Sequence, residues 1–335
     1  MTFSIGYQLP TEMDSTVAIA RDFPGQVTEV YFAPPGEPSG RSPLETGMAD
    51  ILMQDLTQLA DMNVRITMLL NASCYGAEAT SLVLRDRVRA FLDAYPMVQG
   101  VTVCSPAVAR FVKEYRPEVQ VCASVNMRVG SIAAMRQLAQ HFDAYYMKRE
   151  LNRNFTAIEQ LSSWCRENGK ELRLLANSGC LYDCAFQTFH DNLVSHETEA
   201  LKMPSASTGR AAPCRDYLAT TDAAAEFLRA TWIRPEDIRK YEPWFSSAKL
   251  ATRMHMFPRK VVNAYVRGRY RGNLLDLTEP SLSSFLRGTV LDATRMPEDW
   301  FTVTTSCSRN CESCGYCARV SKEIALSMSR LESTL

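Results

Sequence analysis

Along the first 250 or so residues, short runs rich in Val, Ile, Tyr and Phe alternate with longer stretches in which apolar residues recur every three or four positions. The first pattern is that of a buried or half-buried strand and the second that of an amphipathic helix, and their alternation predicts a parallel sheet with helical crossovers. The strand-like runs fall at 3–9, 27–33, 64–71, 98–105, 119–126, 143–151, 171–178 and 247–253. Helical patterns such as LETGMADILMQDLTQLADMN and SIAAMRQLAQHF lie between them. Eight units in this length match the size of a TIM-type (β/α)8 barrel.

That architecture places active sites in the loops after the C-terminal ends of the strands. The residues at those ends therefore become candidates: Asn71 and Cys74, Cys104, Asn126 and Arg128, Arg149 and Glu150, Arg253 and His255. The seventh run, ELRLLANS, delivers Cys180 and Cys184 into a segment that also holds His190, His196 and Cys214. This connection is long for a barrel, and long loops in compact domains usually carry function. Past the eighth run the alternation stops. Residues 253–271 hold six basic residues and no acidic one, and a β-rich piece, WFTVTTS, precedes a second group of cysteines. The chain thus divides into a barrel at 1–256, with a cysteine loop at 179–217, and a helical, cysteine-rich C-terminal extension at 257–335.

Composition narrows the chemistry. Hydrophobic residues make up 46% of the chain and charged residues 22%, ordinary values for a soluble globular protein. Thirty-seven basic residues balance thirty-seven acidic ones, which excludes the overall positive field of a general nucleic-acid binder. The first residues, MTFSIGYQLPTEMDS, show no signal peptide, and no apolar run reaches the roughly 18 residues that span a bilayer, so a cytoplasmic location without membrane insertion is expected. In that reducing setting eleven cysteines read better as metal ligands or catalytic thiols than as disulfides.

Cys307, Cys311, Cys314 and Cys317 follow C-x3-C-x2-C-x2-C, too compact for the two separated pairs of a structural zinc site and suited to a [4Fe-4S] cluster. Cys180, Cys184 and Cys214 supply only three thiols. Either a fourth ligand comes from Cys74, Cys104, Cys122, a histidine or the tail, or one iron stays open to substrate. One or two [4Fe-4S] clusters are thus expected. The first three tail cysteines also match the radical SAM spacing, but only eighteen residues follow Cys317 and Ser313 stands where an aromatic is usual, so SAM is not expected. His190 suits proton transfer or iron ligation, while Arg253 and His255 face the same end of the barrel, where an arginine would receive an anionic substrate. No Walker loop, G-x-S-x-G elbow or H-E-x-x-H helix is present.

Several segments line up with one family. DAYYMKRELNRNF resembles the REL strand, IRPEDIRKYEPWFSSAKLATRMHMFPRKVVNAY the approach to the last barrel strand, and CRDYL the CR-x-Y motif of the collagenase-like peptidases, peptidase family U32; the resemblance covers roughly 3–270. It implies an iron-sulfur protein working in oxygen-independent hydroxylation of transfer RNA, ribosomal RNA or quinone precursors, with Cys180, Cys184 and Cys214 as cluster ligands. The chain departs from the family pattern in spacing its first pair by three residues rather than six and in having no cysteine between Cys214 and Cys307.

The expectation is an iron-sulfur enzyme performing an oxygen-independent redox modification of a small-molecule, peptide or RNA substrate. Glu150, Arg149, His190, Arg253 and His255 would position substrate and protons, and the tail cluster would pass electrons from a donor such as a ferredoxin or flavodoxin. The alternative is a non-catalytic electron-transfer or binding subunit of a heterodimer.

Overall fold

In the computed structural model, which describes residues 1–11, 14–41, 46–200, 202, 213–286 and 288–327, eight parallel strands close into a barrel. They are β1 (Thr2–Gly6), β2 (Val27–Phe32), β3 (Arg65–Leu70), β4 (Gly100–Val103), β5 (Gln120–Ala123), β6 (Ala144–Tyr146), β7 (Glu171–Leu175) and β8 (Ser247–Leu250). β8 returns to β1, with Phe3 opposite Ala248 and Ile5 opposite Leu250. The (β/α)8 expectation holds. Residues 201, 203–212 and 328–335, part of the expected cysteine loop and extension, lie outside the described residues, as do 44 and 45 of the LETGMADILMQ pattern.

Six helices follow the first six strands: α1 (Thr16–Asp22), α2 (Ala49–Asp61), α3 (Leu82–Ala94), α4 (Pro106–Tyr115), α5 (Ile132–Leu138) and α6 (Phe155–Glu167). Five of them start with one local device. The side chains of Ser15, Ser81, Ser105, Ser131 and Asn154 each accept a hydrogen bond from the backbone N–H three residues on, which satisfies a donor that the helix itself cannot. Phe32, Leu56, Val103, Val112 and Ile158 are among the side chains that fill the layer between strands and helices.

The barrel interior is of another kind. Ser4, Glu29, Thr67, Thr102 and Arg173 are buried yet stand apart from that apolar layer, in the phase that strand alternation sends inward. Arg173 pairs with Glu29 at 3.2 Å and donates to Gln120 Oε1 at 2.9 Å. Barrels of this class usually fill their centre with branched apolar residues; this one carries a charge network.

After β7 come α7 (Gln187–Ser195), α8 (Glu197–Ala200), α9 (Cys214–Thr220) and α10 (Ala223–Arg229), and after β8 comes α11 (Pro258–Arg267). Val261, Val262 and Tyr265 of α11 join the barrel core, so the outer layer of the barrel runs past residue 256 and through this helix. The extension then forms β9 (Thr289–Leu291), α12 (Trp300–Thr305), α13 (Cys311–Cys314), α14 (Tyr316–Ile324) and β10 (Ala325–Ser327), with β9 and β10 antiparallel. A second apolar core joins it to the cysteine loop: Leu181, Leu218 and Phe227 pack with Leu275, Leu291, Trp300 and Val320.

Two local expectations are corrected. WFTVTTS is helical: the hydroxyls of Thr304, Thr305 and Ser306 donate back to the carbonyls of Trp300, Phe301 and Thr302, and Trp300 is buried against Tyr316 and the Arg153 guanidinium. The sixth strand ends at Tyr146, and Arg149–Arg153 form a 3-10 turn whose three-residue spacing buries Arg149 and Asn152 together. Within the basic stretch at 253–271, Arg259 pairs with Asp14 and Asp22, and Lys260 with Asp276.

One buried residue ties the extension to the ends of β7 and β8. Asn177, fully buried at the end of β7, donates to the carbonyls of Ala251 (3.1 Å) and Leu277 (2.9 Å) and accepts from the Ala251 N–H (2.6 Å). Its own carbonyl accepts from the Glu279 N–H, and the Gly179 N–H donates to the Glu279 carbonyl. A Cβ on Gly179 would collide with the Pro280 carbonyl oxygen, so only glycine permits this approach. N177A is therefore expected to lower stability by about 3 kcal/mol, since it strands buried donors and acceptors, and G179A to destabilise as well; urea unfolding measures both.

Candidate active site at the barrel mouth

Three cavities carry the chemistry. The first, about 80 Å³, sits at the C-terminal end of the barrel and is lined by Tyr31, Asn71, Asn126, Lys249, Arg253 and Glu279, among others. Lys249, on β8, points its ammonium at the Tyr31 ring (3.7 Å to the centroid) and at Tyr146 (5.1 Å). Burial pushes its amine down to about 8; Glu29 and Cys122 favour the charged form, and Arg253 and Arg173 oppose it. Arg253 donates through Nη2 to Ser39 Oγ at 3.0 Å, and Arg41 lies 3.8 Å from Glu279. Asn71 accepts from the Gly40 N–H at 3.1 Å, and a Cβ on Gly40 would crowd the Asn71 and Asn126 amides.

The second cavity, about 400 Å³, holds Cys180, Cys184 and Cys214 together with Arg149, His190 and Asp191. It shares Arg41, Asn126, Met254 and Glu279 with the first, so the two adjoin. Buried Arg149 donates to Ser178 Oγ at 3.1 Å and is hydrogen-bonded to the Cys180 thiol. The desolvated imidazole of His190, facing Arg41, is held below its ordinary pKa. Desolvation raises the Asp191 carboxyl, whose Oδ2 makes no hydrogen bond and has Arg128 at 3.6 Å.

The third, about 250 Å³, is lined by Cys307, Cys311, Cys314 and Cys317 with Arg229 and Tyr316. Arg309 links it to the second: its guanidinium stacks 4.5 Å over the ring of Tyr182, between Cys180 and Cys184, and donates to the Arg229 carbonyl. All seven cysteines are free thiols. Among the described residues, no three Cys, His, Asp or Glu side chains converge on the position of a single metal ion. A cubane, being far larger than one ion, takes its thiolates from the wall of a cavity, and four thiols on one wall and three on another suit such a body better than a mononuclear metal.

The other residues expected here are placed as follows. Glu150 lies in the 3-10 turn and lines none of these cavities, because the turn directs Arg149 inward in its stead. His255 is buried where the chain turns into α11, its Nδ1 accepting from the Phe257 N–H at 2.9 Å and its carbonyl from Gln8 at 2.7 Å. None of the three isolated cysteines considered as a fourth ligand lines the second cavity. Cys122 is in the barrel interior, Cys104 is half-buried beside Ser124 and Ser73, and Cys74 meets His196. Lys249 was missed, although it stands two and four residues before Ala251 and Arg253, in the phase that faces the barrel. Arg41 and Glu279 had no strand to announce them.

No family model matches the chain. An uncharacterized protease of Methanocaldococcus jannaschii is 25% identical over 311 residues, covering 88% of each chain. The solved structure of a U32 peptidase superposes with a TM-score of 0.54 at 18% identity, over 74% of this chain and 92% of that one. Both findings support the resemblance to the U32 collagenase-like peptidases, and the second shows a shared fold. This chain joins to that barrel a second apolar core and the four tail cysteines.

One further contact bears on reactivity. The Cys74 thiol meets the His196 ring and accepts from the Gly76 N–H at 3.3 Å, and His196 Nδ1 lies 2.8 Å from Glu199. The imidazole, then the N–H, lower the Cys74 pKa, so more thiolate is present near neutrality than in a free cysteine. Iodoacetamide should alkylate Cys74 faster than Cys104, whose thiol desolvation pushes up, and H196A should slow Cys74 several-fold; peptide mass spectrometry at fixed pH reads both.

Proposed function

We propose that this protein is an iron-sulfur enzyme that carries out an oxygen-independent redox modification, hydroxylation being the reaction favoured, on a substrate seated in the barrel mouth. The observation that carries the reading is the adjacency of the three-cysteine cavity to the barrel-mouth cavity, through Arg41, Asn126, Met254 and Glu279. Cys180, Cys184 and Cys214 would hold one [4Fe-4S] cluster and Cys307, Cys311, Cys314 and Cys317 a second. When bound, such clusters supply one-electron transfer, and three thiolates leave one iron position for substrate.

The chain's own residues do the rest. Arg149 sets a buried guanidinium against Cys180 in the wall of the second cavity. His190 and Asp191 are a proton acceptor and donor pair within the same cavity. Tyr182 and Arg309 hold the two cysteine groups against one another, and Cys184, Cys214 and Cys317 all pack on the second apolar core. An electron donor such as a ferredoxin or flavodoxin would reach the tail group, where Cys314 is exposed.

Anaerobic purification followed by iron, sulfide and visible spectra tests the reading, with about eight irons per chain expected for two cubanes. C184A and C314A should each remove about half of that iron if the groups are independent. Zinc in a colourless protein would overturn the redox reading.

A second reading has its own observation. The Cys74–His196–Glu199 contact has the order of a nucleophilic thiol, a base and an orienting carboxylate, and both relatives carry protease or peptidase in their names. Casein turnover abolished by C74A but unaffected by C184A would favour it; no turnover by the wild type would remove it.

A further inference from the structure

The barrel-mouth cavity holds more positive charge than its own carboxylates neutralise. Glu279 is engaged by Arg41, and Glu29, deeper in the barrel, by Arg173. Lys249 and Arg253 remain. The Lys249 ammonium meets two aromatic faces, and Arg253 gives Nη2 to Ser39 while its Nη1 is buried without a hydrogen-bond partner. Among the described residues, neither cation forms an ion pair. Of the buried guanidinium nitrogens without a hydrogen-bond partner among the described residues, this is the one in the wall of the barrel-mouth cavity, and it calls for an acceptor there. A ligand oxygen between these two cations is the simplest one.

We infer that Lys249 and Arg253 form a carboxylate-binding subsite, so that the substrate is a small organic acid anchored in the barrel mouth with its remainder in the cysteine-lined cavity. The inference rests on the proposed function only for what happens at the far end of the ligand. An arginine fork beside a lysine point charge matches a carboxylate in both charge and geometry. Size separates this ligand from a nucleic-acid backbone: about 80 Å³ takes the end of a molecule, whereas a phosphodiester continues on both sides. The adjoining 400 Å³ takes the body of a small acid.

The two cations should respond differently to pH. The ionisable groups facing Lys249 are Glu29 and Tyr31 from β2, Cys122 from β5, Tyr146 from β6, Arg173 from β7 and Arg253 beyond β8. Lys249 loses its charge as pH rises through about 8, whereas Arg253 keeps its own.

Calorimetric titration of the anaerobically purified protein with propionate, propionamide and inorganic phosphate tests the subsite. Propionate should bind near neutral pH at least about tenfold more tightly than the neutral amide, and R253Q and K249M should each weaken propionate about tenfold without changing the amide. R253K should keep the preference for propionate over propionamide while binding propionate more weakly than wild type, which separates lost charge from lost fold. In wild type the affinity for propionate should fall above pH 8, and K249M should abolish that fall. Equal binding of propionate and propionamide, tighter binding of phosphate, or an R253Q variant of wild-type affinity would overturn the subsite. Iron is measured in the same samples: an iron-free protein that still selects propionate leaves the subsite standing and removes the redox reading, and an iron-loaded protein that fails to select it does the reverse.

Discussion

The buried amide of Asn177 is the constraint on which the site depends. It sits where β7 and β8 diverge, and its hydrogen bonds reach Ala251 on one side and Leu277 on the other. An extended piece of the extension, through the Ser178–Glu279 bridge, is thereby laid beside the end of β7. Glu279 then reaches the barrel mouth, and Gly179 turns the chain toward Cys180 with no room for a side chain. Buried amides with all their partners in place are rigid because each lost bond leaves an unpaired group. Barrel, cysteine loop and extension therefore share one fixed corner.

A charged barrel interior is the second unusual feature, and it has a consequence for the mouth above it. Desolvated ions survive only when paired and hydrogen-bonded, and Arg173 meets that condition with Glu29, Glu171 and Gln120. Lys249, one level closer to the mouth, has aromatic faces for company instead of a carboxylate. The network beneath consumes its own charges, and the cations at the mouth keep theirs for whatever enters. A barrel packed with Val and Leu would make the same fold without this electrostatic floor.

The extension is more than an appendage. Its helix α14 packs along α10, and its tryptophan, Trp300, lies beneath the Arg153 guanidinium of the turn after β6. Both cysteine groups rest on the apolar core that results. The separation into barrel and tail visible in the sequence pattern is a separation of sequence style, while in space the tail completes the wall of the cysteine loop.

Much of the architecture was legible before any coordinates. The eight β/α units follow from alternation and helical periodicity, since each strand and helix must bury one face, and the Ser and Asn caps mark where the helices begin. The four tail cysteines that line one cavity are close in sequence, whereas Cys214 stands thirty residues beyond Cys184 and joins its cavity through the fold. Other parts were not legible. Glu150 was expected beside Arg149 on a strand, and a 3-10 turn replaced the twofold period by a threefold one. Arg41, Lys249, Arg253 and Glu279 come from the loop after β2, from β8 and its following loop, and from the extension, so no local motif joins them. Local sequence determines periodicity, capping and ligand spacing because those are short-range physics; only the tertiary structure decides which distant charges share a cavity, because that depends on how the barrel closes and where Asn177 fastens the tail.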